Sequence, residues 1–358
     1  MAVGIGSGIG INGAMSADAS PTLPAKTPTA LLSEVQGAHI DGFSGTVVQH
    51  ADLGLPDIST LGGGRGSSDL SSLITGSHTM RVWYDGPQKV RLALLGTLGE
   101  SDLIRNGSNL WNWSSKNNSV THYALPADAG KQAEKAPAGT PLTPQQAAEK
   151  ALAAVNPTTR VTVSGTVSVA GRSAYELVIA PRDTTSLVGS VKIAVDSATH
   201  EPLRVQIFAK GHSKAALEVG FTQISFTKPG AAQFQFTAPK GATVKQGNLG
   251  GLAGGHGSKQ HPASPPKAKH AVPSKAGEPA VVGTGWSQVL VVKDFTMPSG
   301  KSAGQFGSLL HNLPQVSGSW GSGRLFTSSL INALITDDGR LVVGAVPANQ
   351  LYAAAAHR

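Results

Sequence analysis

Apolar and polar residues alternate along much of the chain between residues 76 and 125. The segment SHTMRVWYDGPQKVRLALLG holds two alternating runs around Asp85-Gly86-Pro87, and SDLIRNGSNLWNWSS turns at Asn106-Gly107. Alternation with a period of two, broken by such turn residues, predicts consecutive antiparallel hairpins. Because alternate residues of a strand point to the same side, one apolar sheet face is expected. Its predicted members include Met80, Val82, Leu92, Leu94, Trp111 and Trp113.

Two short helices are predicted beside these strands. Thr27 before Pro28 is typical of a capped helix, here over about residues 28–38. Thr143-Pro144 with Gln146 predicts a second helix with a capping box, ending near residue 156. Further strand-like runs follow it as far as residue 226. Many strands with few Ala-rich helices indicate an α+β fold built on one large antiparallel sheet.

The remaining segments divide the chain into four parts. Residues 1–20 are mostly small and apolar, and Ala17-Asp18-Ala19 has the A-x-A form of a signal-peptidase site. They predict a signal segment that is cleaved or a signal-anchor segment that is retained. Residues 21–240 hold the predicted sheet domain. Residues 241–279 are rich in Gly, Pro, Ser, Ala and Lys and predict a disordered basic linker. Residues 280–358 predict a small α+β unit of strand, helix and hairpin around Asp337-Asp338-Gly339.

Composition narrows the possible chemistry. The chain has no Cys, so disulfides, thiolate metal sites and Cys nucleophiles are excluded. Its formal net charge of +8 owes much to the linker lysines, which either keep that linker solvated or attract anionic lipid. No basic run with interleaved aromatic residues lies in the predicted folded part, so nucleic-acid binding is not expected.

No catalytic motif stands out in the sequence. The spaced glycines Gly8, Gly10 and Gly13 lie in the leader without a preceding strand, and no G-x-S-x-G, H-E-x-x-H or P-loop pattern occurs. The histidines are scattered, and Asp337-Asp338-Gly339 is typical of a turn. We therefore expect no enzyme activity, no catalytic residues, no metal site and no cofactor.

The tryptophans of the meander leave two interpretations open. Trp83, Trp111 and Trp113 either fill a core, which is the usual fate of large apolar residues, or line a cavity. A long meander with only two short Ala-rich helices has a large apolar face and little bulk to cover it, which favours a cavity.

Several of these runs together resemble the LolA-like superfamily, which contains lipoprotein carriers, the sigma-factor regulators RseB and MucB, and lipid-binding lipoproteins of LppX type. The matching text is MRVWYDGPQKVRLALL, LIRNGSNLWNWSSKNNSVTHYALP, AYELVIAPRD, SVKIAVDSATHEPLRVQIF and LEVGFTQISF. The likeness spans about residues 27–239 and is greatest to exported LolA-like proteins of high-GC Gram-positive bacteria. It implies an incomplete, strongly twisted antiparallel β-barrel closed by short helices, with an apolar face for acyl chains.

The resemblance also implies a function. The expected protein is an exported, extracytoplasmic monomer, membrane-associated or secreted, that binds a lipid or acylated lipoprotein in an apolar cavity. The alternative is an RseB-like or MucB-like envelope regulator that binds an anti-sigma factor or another membrane protein. Alternation along the strands predicts the ligand-binding residues, namely Met80, Val82, Leu92, Leu94, Trp111, Trp113, Leu177, Ile193, Val205 and Phe221.

Overall fold

A computed structural model describes residues 22–54, 76–96, 99–126, 143–247, 280–295, 310 and 312–356. Within them the chain forms two β-sheets and three α-helices. The helices are α1 (Pro28–Gly37), α2 (Pro144–Ala153) and α3 (Ala348–Ala356). The predicted leader, the Gly-rich stretch after the first strand and most of the predicted linker lie outside the described residues. No helix among the described residues is long and apolar enough to cross a membrane.

The larger sheet holds twelve of the described strands. They are β1 (Phe43–Ala51), β2 (Gly76–Tyr84), β3 (Lys89–Gly96), β4 (Gly99–Asn106), β5 (Asn109–Ser114), β6 (Ser119–Ala124), β7 (Thr159–Val169), β8 (Arg172–Pro181), β9 (Val188–Asp196), β10 (Pro202–Ala209), β11 (Ala215–Ser225) and β12 (Thr243–Gln246). Their order in the sheet is β12-β6-β5-β4-β3-β2-β1-β11-β10-β9-β8-β7. The sheet is twisted and open rather than a closed barrel, so the predicted incomplete antiparallel barrel is confirmed.

The capping and turn residues identified in the sequence make the local contacts that they predict. The Thr27 hydroxyl accepts a hydrogen bond from the Ala30 amide at 3.2 Å and caps α1. At α2, Thr143 and Gln146 form a reciprocal capping box. The tight turn after Asn106 pairs that residue with Asn109, and the positive φ of Gly107, 62°, is one that glycine adopts without strain. The predicted helices and hairpins therefore form for the expected local reasons.

One face of the large sheet, called the inner face below, packs against α1 and α2. Its core includes Phe43 and Val47 of β1. Leu31 of α1 and Ala148 of α2 are fully buried in the same apolar cluster. Since each helix has only ten residues, the two cover the sheet with a thin layer.

The opposite face, called the outer face, is covered near β3–β6 by the chain that follows β11. The 3-10 turn Ala231–Phe234 contacts β3 and β4, and Phe234 is 1% exposed. The chain then adds β12 to β6 in parallel, at the edge of the sheet. Residues 243–246 were expected in the disordered linker, and they form a strand instead because this crossing brings them beside β6.

The second sheet begins at residue 280 and has six described strands. They are β13 (Ala280–Val282), β14 (Val289–Val292), β15 (Gln315–Gly318), β16 (Gly321–Phe326), β17 (Asn332–Thr336) and β18 (Leu341–Gly344), in the order β13-β14-β18-β17-β16-β15. The predicted turn at residues 337–339 joins β17 to β18. Helix α3, which the sequence analysis did not predict, buries Leu351 against this sheet. The helix predicted within this unit corresponds to residues 302–314, which lie mostly outside the described residues.

The two sheets are joined by specific contacts. The Leu187 amide donates to the Ala345 carbonyl at 2.8 Å, and the Ser329 amide donates to the Leu53 carbonyl at 2.9 Å. Leu330 is buried against Ala209 and Ala216 of the large sheet. The C-terminal sheet is therefore packed onto the β9–β11 end of the large sheet.

Candidate functional site

Eight of the ten predicted ligand-binding residues come together on the inner face. Directly paired residues of neighbouring strands share a face, and the register pairs Met80 with Leu94, Val82 with Leu92, and Ile193 with both Leu177 and Val205. Phe221 joins them through Val47 on β1. All eight are at most 8% exposed and belong to one apolar cluster.

Trp111 and Trp113 lie on the outer face, so their placement with the other eight is corrected. Trp111 pairs with Ile104, which pairs with Arg91, whereas Leu92 pairs with Leu103. The two tryptophans therefore share a side with Arg91 and not with Leu92. Trp111 stacks on His122 with ring centroids 3.9 Å apart and lies 5.4 Å from Phe236. Trp111 is half-buried in these contacts.

The inner face is closed where α1 and α2 cover it. Toward β4 the apolar surface continues but is less covered, since Val90 and Leu103 are half-buried. Leu103 pairs directly with buried Leu92, so the half-buried patch is continuous with the core. The inner face thus has a covered part under the helices and a more accessible part near β3 and β4.

A cleft of about 390 Å³ lies between the two helices and the start of β10. That volume is within the range of about 300–1,000 Å³ that is typical of small-ligand sites. The walls combine apolar and polar groups from α1, α2 and the turn before β10, and Glu201 lies at their junction. The lining residues are Val35, Gln36, Ala38, Gln145, Ala148, Glu149, Leu152, Ala153, Glu201 and Pro202.

Glu201 is held in place by the turn between β9 and β10. The Asp196 carboxylate accepts hydrogen bonds from the amides of Ala198 and Thr199 and from the Thr199 hydroxyl. The Asp196 amide in turn donates to the Glu201 carbonyl at 2.9 Å. The turn therefore presents the Glu201 side chain to the cleft from a fixed backbone.

The Glu201 carboxyl group is buried and has unused hydrogen-bonding capacity. The residue is 4% exposed, and its Oε1 has no hydrogen-bond partner among the described residues. Burial, together with the negative charges of Glu149 and Asp196, raises the pKa of Glu201 to about 7. Because the motif THEP resembles an ordinary polar turn, the sequence analysis missed this residue, and no local pattern would have revealed its burial.

A second buried acid lies on the outer face. Asp102 is 2% exposed and accepts a hydrogen bond from Arg91 at 2.5 Å. Burial and the neighbouring Glu100 raise the pKa of Asp102 to about 6, while Arg91 acts in the opposite direction. The guanidinium of Arg91 also lies 5.2 Å from the centroid of the Trp83 ring. This pair sits within a packed region, so it serves the structure of the outer face.

Within the described ranges, no group of three or more His, Asp or Glu side chains is placed to hold a metal ion. The arrangement on the inner face and in the cleft can bury apolar groups and can neutralise one positive charge. These are binding properties, and they come from Leu103, Val90, Glu201 and their neighbours.

Comparison with known proteins gives structural likeness alone. No protein-family model matches the chain. No curated protein matches it either.

Three solved structures, all of low sequence identity, illustrate what the chain is similar to. A structure of the Pseudomonas aeruginosa MucA/MucB complex is 15% identical, covers 91% of this chain and 95% of that chain, and has a TM-score of 0.42. A MucB structure is 16% identical over 91% and 94% of the two chains, with a TM-score of 0.39. A LolA superfamily protein from Nitrosomonas europaea is 9% identical over 59% and 99%, with a TM-score of 0.23. Function is therefore inferred from the chain's own geometry.

Proposed function

We propose that this chain is a non-catalytic, extracytoplasmic binding protein that takes the acyl chains of a lipid or acylated lipoprotein onto its inner face. One observation carries the proposal. The inner face is apolar from β3 through β1 to β8, and two ten-residue helices are its main described cover. Such a face can exchange its cover for a ligand without exposing charged groups.

The composition of α2 supports the exchange. The helix meets the inner-face cluster through Ala147, Ala148, Ala151 and Leu152, most of which have a single side-chain carbon. An acyl chain gains about 0.8 kcal/mol for each buried methylene, or roughly 12 kcal/mol gross for sixteen carbons before ordering costs. This gross gain would be set against the loss of the contacts made by α2, most of which involve a single side-chain carbon.

The half-buried patch near β3 and β4 is the proposed point of entry. Val90 and Leu103 extend the buried core toward solvent on the same face as Leu92. An acyl chain entering there meets apolar side chains at each step toward Met80 and Val82. Movement of α2 away from the sheet would then admit it to the covered part.

A titration with a fluorescent fatty-acid probe tests this function on the full chain. Leu103→Arg places a charge at the proposed entry, and because Leu103 is half-buried the variant is expected to fold. Leu95→Arg is the matched control, since it makes the same change at an exposed position on the outer face of neighbouring β3. We expect Leu103→Arg to weaken probe binding at least tenfold and Leu95→Arg to leave it unchanged. Equal binding by both variants would contradict the proposed site.

The alternative function, an envelope regulator of RseB type, makes a different prediction. Affinity capture with the full chain from solubilised membranes would recover an anti-sigma factor or another membrane protein at equal stoichiometry. The Leu103→Arg variant would retain that partner if its binding surface lies away from the acyl site. Recovery of lipid without any polypeptide would contradict this alternative.

A further inference from the structure

The cleft between α1 and α2 is lined by polar groups that acyl binding does not use. Among them the carboxyl group of Glu201 is buried and leaves Oε1 without a hydrogen-bond partner among the described residues. Buried polar atoms are nearly always hydrogen-bonded in folded proteins. An acceptor of this kind facing a cleft is suited to a ligand that carries a hydrogen-bond donor.

The charged residues around the cleft favour a ligand whose hydrogen-bond donor is positively charged. Glu149 of α2 also lines the cleft, and its charge acts on Glu201. The nearby cation Lys26 is engaged, since its Nζ lies 2.6 Å from the Glu34 carboxylate. Asp196 is ion-paired with Arg172 and does not line the cleft. Glu201 and Glu149 are the only ionisable residues among those that line the cleft, and both are negative when ionised, so an entering cation would be attracted to them.

The apolar residues that line the cleft favour a ligand with an aliphatic part. Val35 and Leu152 line the cleft from the two helices, and Pro202, next to Glu201 in the chain, also lines it. Aliphatic walls leading to a buried carboxylate are complementary to a charged group on a hydrocarbon stem, because the stem contacts the walls while the charge reaches the acid. The volume of about 390 Å³ accommodates a ligand of this kind.

We propose that the cleft between α1 and α2 binds an ammonium or guanidinium group carried on an aliphatic stem, with Glu201 as its charged anchor and Glu149 nearer to solvent. The ligand is a free alkylamine or the side chain of a lysine or arginine in a polypeptide. The cleft shares Ala148 and Leu152 with the inner-face cluster, but its anchor Glu201 lies outside the proposed acyl entry at Val90 and Leu103, so amine binding does not require that the inner face binds lipid.

The test uses calorimetric titration of the full chain with two probes. The first is n-butylamine and the second is the blocked tripeptide acetyl-Ala-Lys-Ala-amide. The same tripeptide with an acetylated lysine keeps the shape and loses the charge. We expect saturable binding of the charged probes and none of the acetylated peptide. Tighter binding of the tripeptide would identify a polypeptide as the source of the cation, whereas equal binding would identify free amines.

Matched variants assign the binding to the cleft. Glu201→Gln preserves the size of the side chain and removes its charge, and should weaken binding of the charged probes at least tenfold. Glu218→Gln is the control, because Glu218 lies on β11, outside the cleft, where it accepts a hydrogen bond from Gln206. It should leave binding unchanged. Leu103→Arg should also leave amine binding unchanged, which separates this site from the acyl site.

Two results would overturn the proposal. One is the absence of saturable binding of either charged probe at millimolar concentration. The other is binding by Glu201→Gln that equals that of the unchanged chain, with circular dichroism showing that both are folded.

Discussion

Arg172 donates two hydrogen bonds to Asp196, from Nε to Oδ1 at 2.6 Å and from Nη2 to Oδ2 at 2.9 Å. The two residues lie at the start of β8 and the end of β9. Because the same carboxylate accepts the amides of the following turn, the ion pair fixes the backbone that carries Glu201. The geometry of the cleft therefore depends on a contact between two residues that do not line it.

Replacing Arg172 by Met should destabilise the fold. Asp196 is 1% exposed, so the substitution leaves a buried carboxylate without its cation. Loss of one partner of such a pair costs about 3 kcal/mol. Urea denaturation should show this loss for Arg172→Met and a change within about 0.5 kcal/mol for Arg160→Met on the exposed part of β7. Similar midpoints for the two variants would show that the pair does not support the fold.

The same pair predicts a response to acid. Burial alone would raise the pKa of Asp196, but the hydrogen bonds from Arg172 and Thr199 outweigh it and hold the pKa below its ordinary value. A carboxyl group with a lowered pKa contributes stability that is complete above its unfolded pKa and is lost as pH falls through the folded one. We expect the acid-unfolding midpoint to move to higher pH in Arg172→Met. An unchanged midpoint, followed by circular dichroism, would rule out this linkage.

The raised pKa of Glu201 predicts that the free energy of unfolding falls as pH rises toward neutrality. Its pKa is raised to about 7 by burial and by Glu149 and Asp196, and its own charge contributes to the raised pKa of Tyr84. Between its ordinary value of 4.5 and about 7, the folded chain holds a proton that the unfolded chain releases. The free energy of unfolding should fall by about 3 kcal/mol as pH rises across that range. Glu201→Gln should show a smaller decline, because Asp102, whose pKa is raised to about 6, still contributes its own in both proteins. An identical pH dependence in both proteins would refute the assignment.

Gly45 is predicted to be intolerant of a side chain. A Cβ atom there would lie 2.5 Å from the Gln223 carbonyl oxygen and 2.9 Å from a ring carbon of Phe221. Overpacking of this kind costs about 1–3 kcal/mol. Gly45→Ala should therefore lower the melting temperature. Gly37→Ala, at the end of α1 with nothing within 4 Å of the added atom, should leave it unchanged or raise it.

Phe234 tests the cover of the outer face. The residue is 1% exposed in the turn that contacts β3 and β4. Removing its ring should destabilise the chain by about 3–5 kcal/mol, measured by urea denaturation. Phe208→Ala, at a half-buried position on β10, should cost less. A loss below about 1 kcal/mol at Phe234 would show that the segment after β11 does not hold the outer face.

The large sheet was predictable because its signals are local. Alternation identified the strands, and Asn106-Gly107 identified a hairpin. The Thr-Pro pairs identified the first residues of α1 and α2. Trp111 and Trp113 were assigned to the wrong face of the sheet. Alternation within one strand divides its residues into two sets, but it does not tell which set lies on the same face as a given set of the next strand. The two-residue turn at Gly107 and Ser108 could have supplied that information, since it places Ile104 opposite Trp111.

Other features depend on contacts between distant segments. Burial of Glu201 results from α1 and α2 closing over a turn that is polar in sequence. The strand β12 forms only because the chain crosses the outer face to reach β6, and its sequence, TVKQ, continues into a Gly-rich stretch that predicts no strand. The cleft therefore could not be predicted from the sequence, whereas the apolar inner face could.

Native mass spectrometry of the full chain, purified from a host with a cell envelope and followed by lipid extraction, tests the acyl-binding function most directly. The proposal predicts a co-purified lipid or acylated peptide at about one per chain, with occupancy lost in Leu103→Arg and retained in Leu95→Arg. A mass equal to the bare chain, with no uptake of an added fatty-acid probe, would contradict acyl binding and leave the inner face as a packed core.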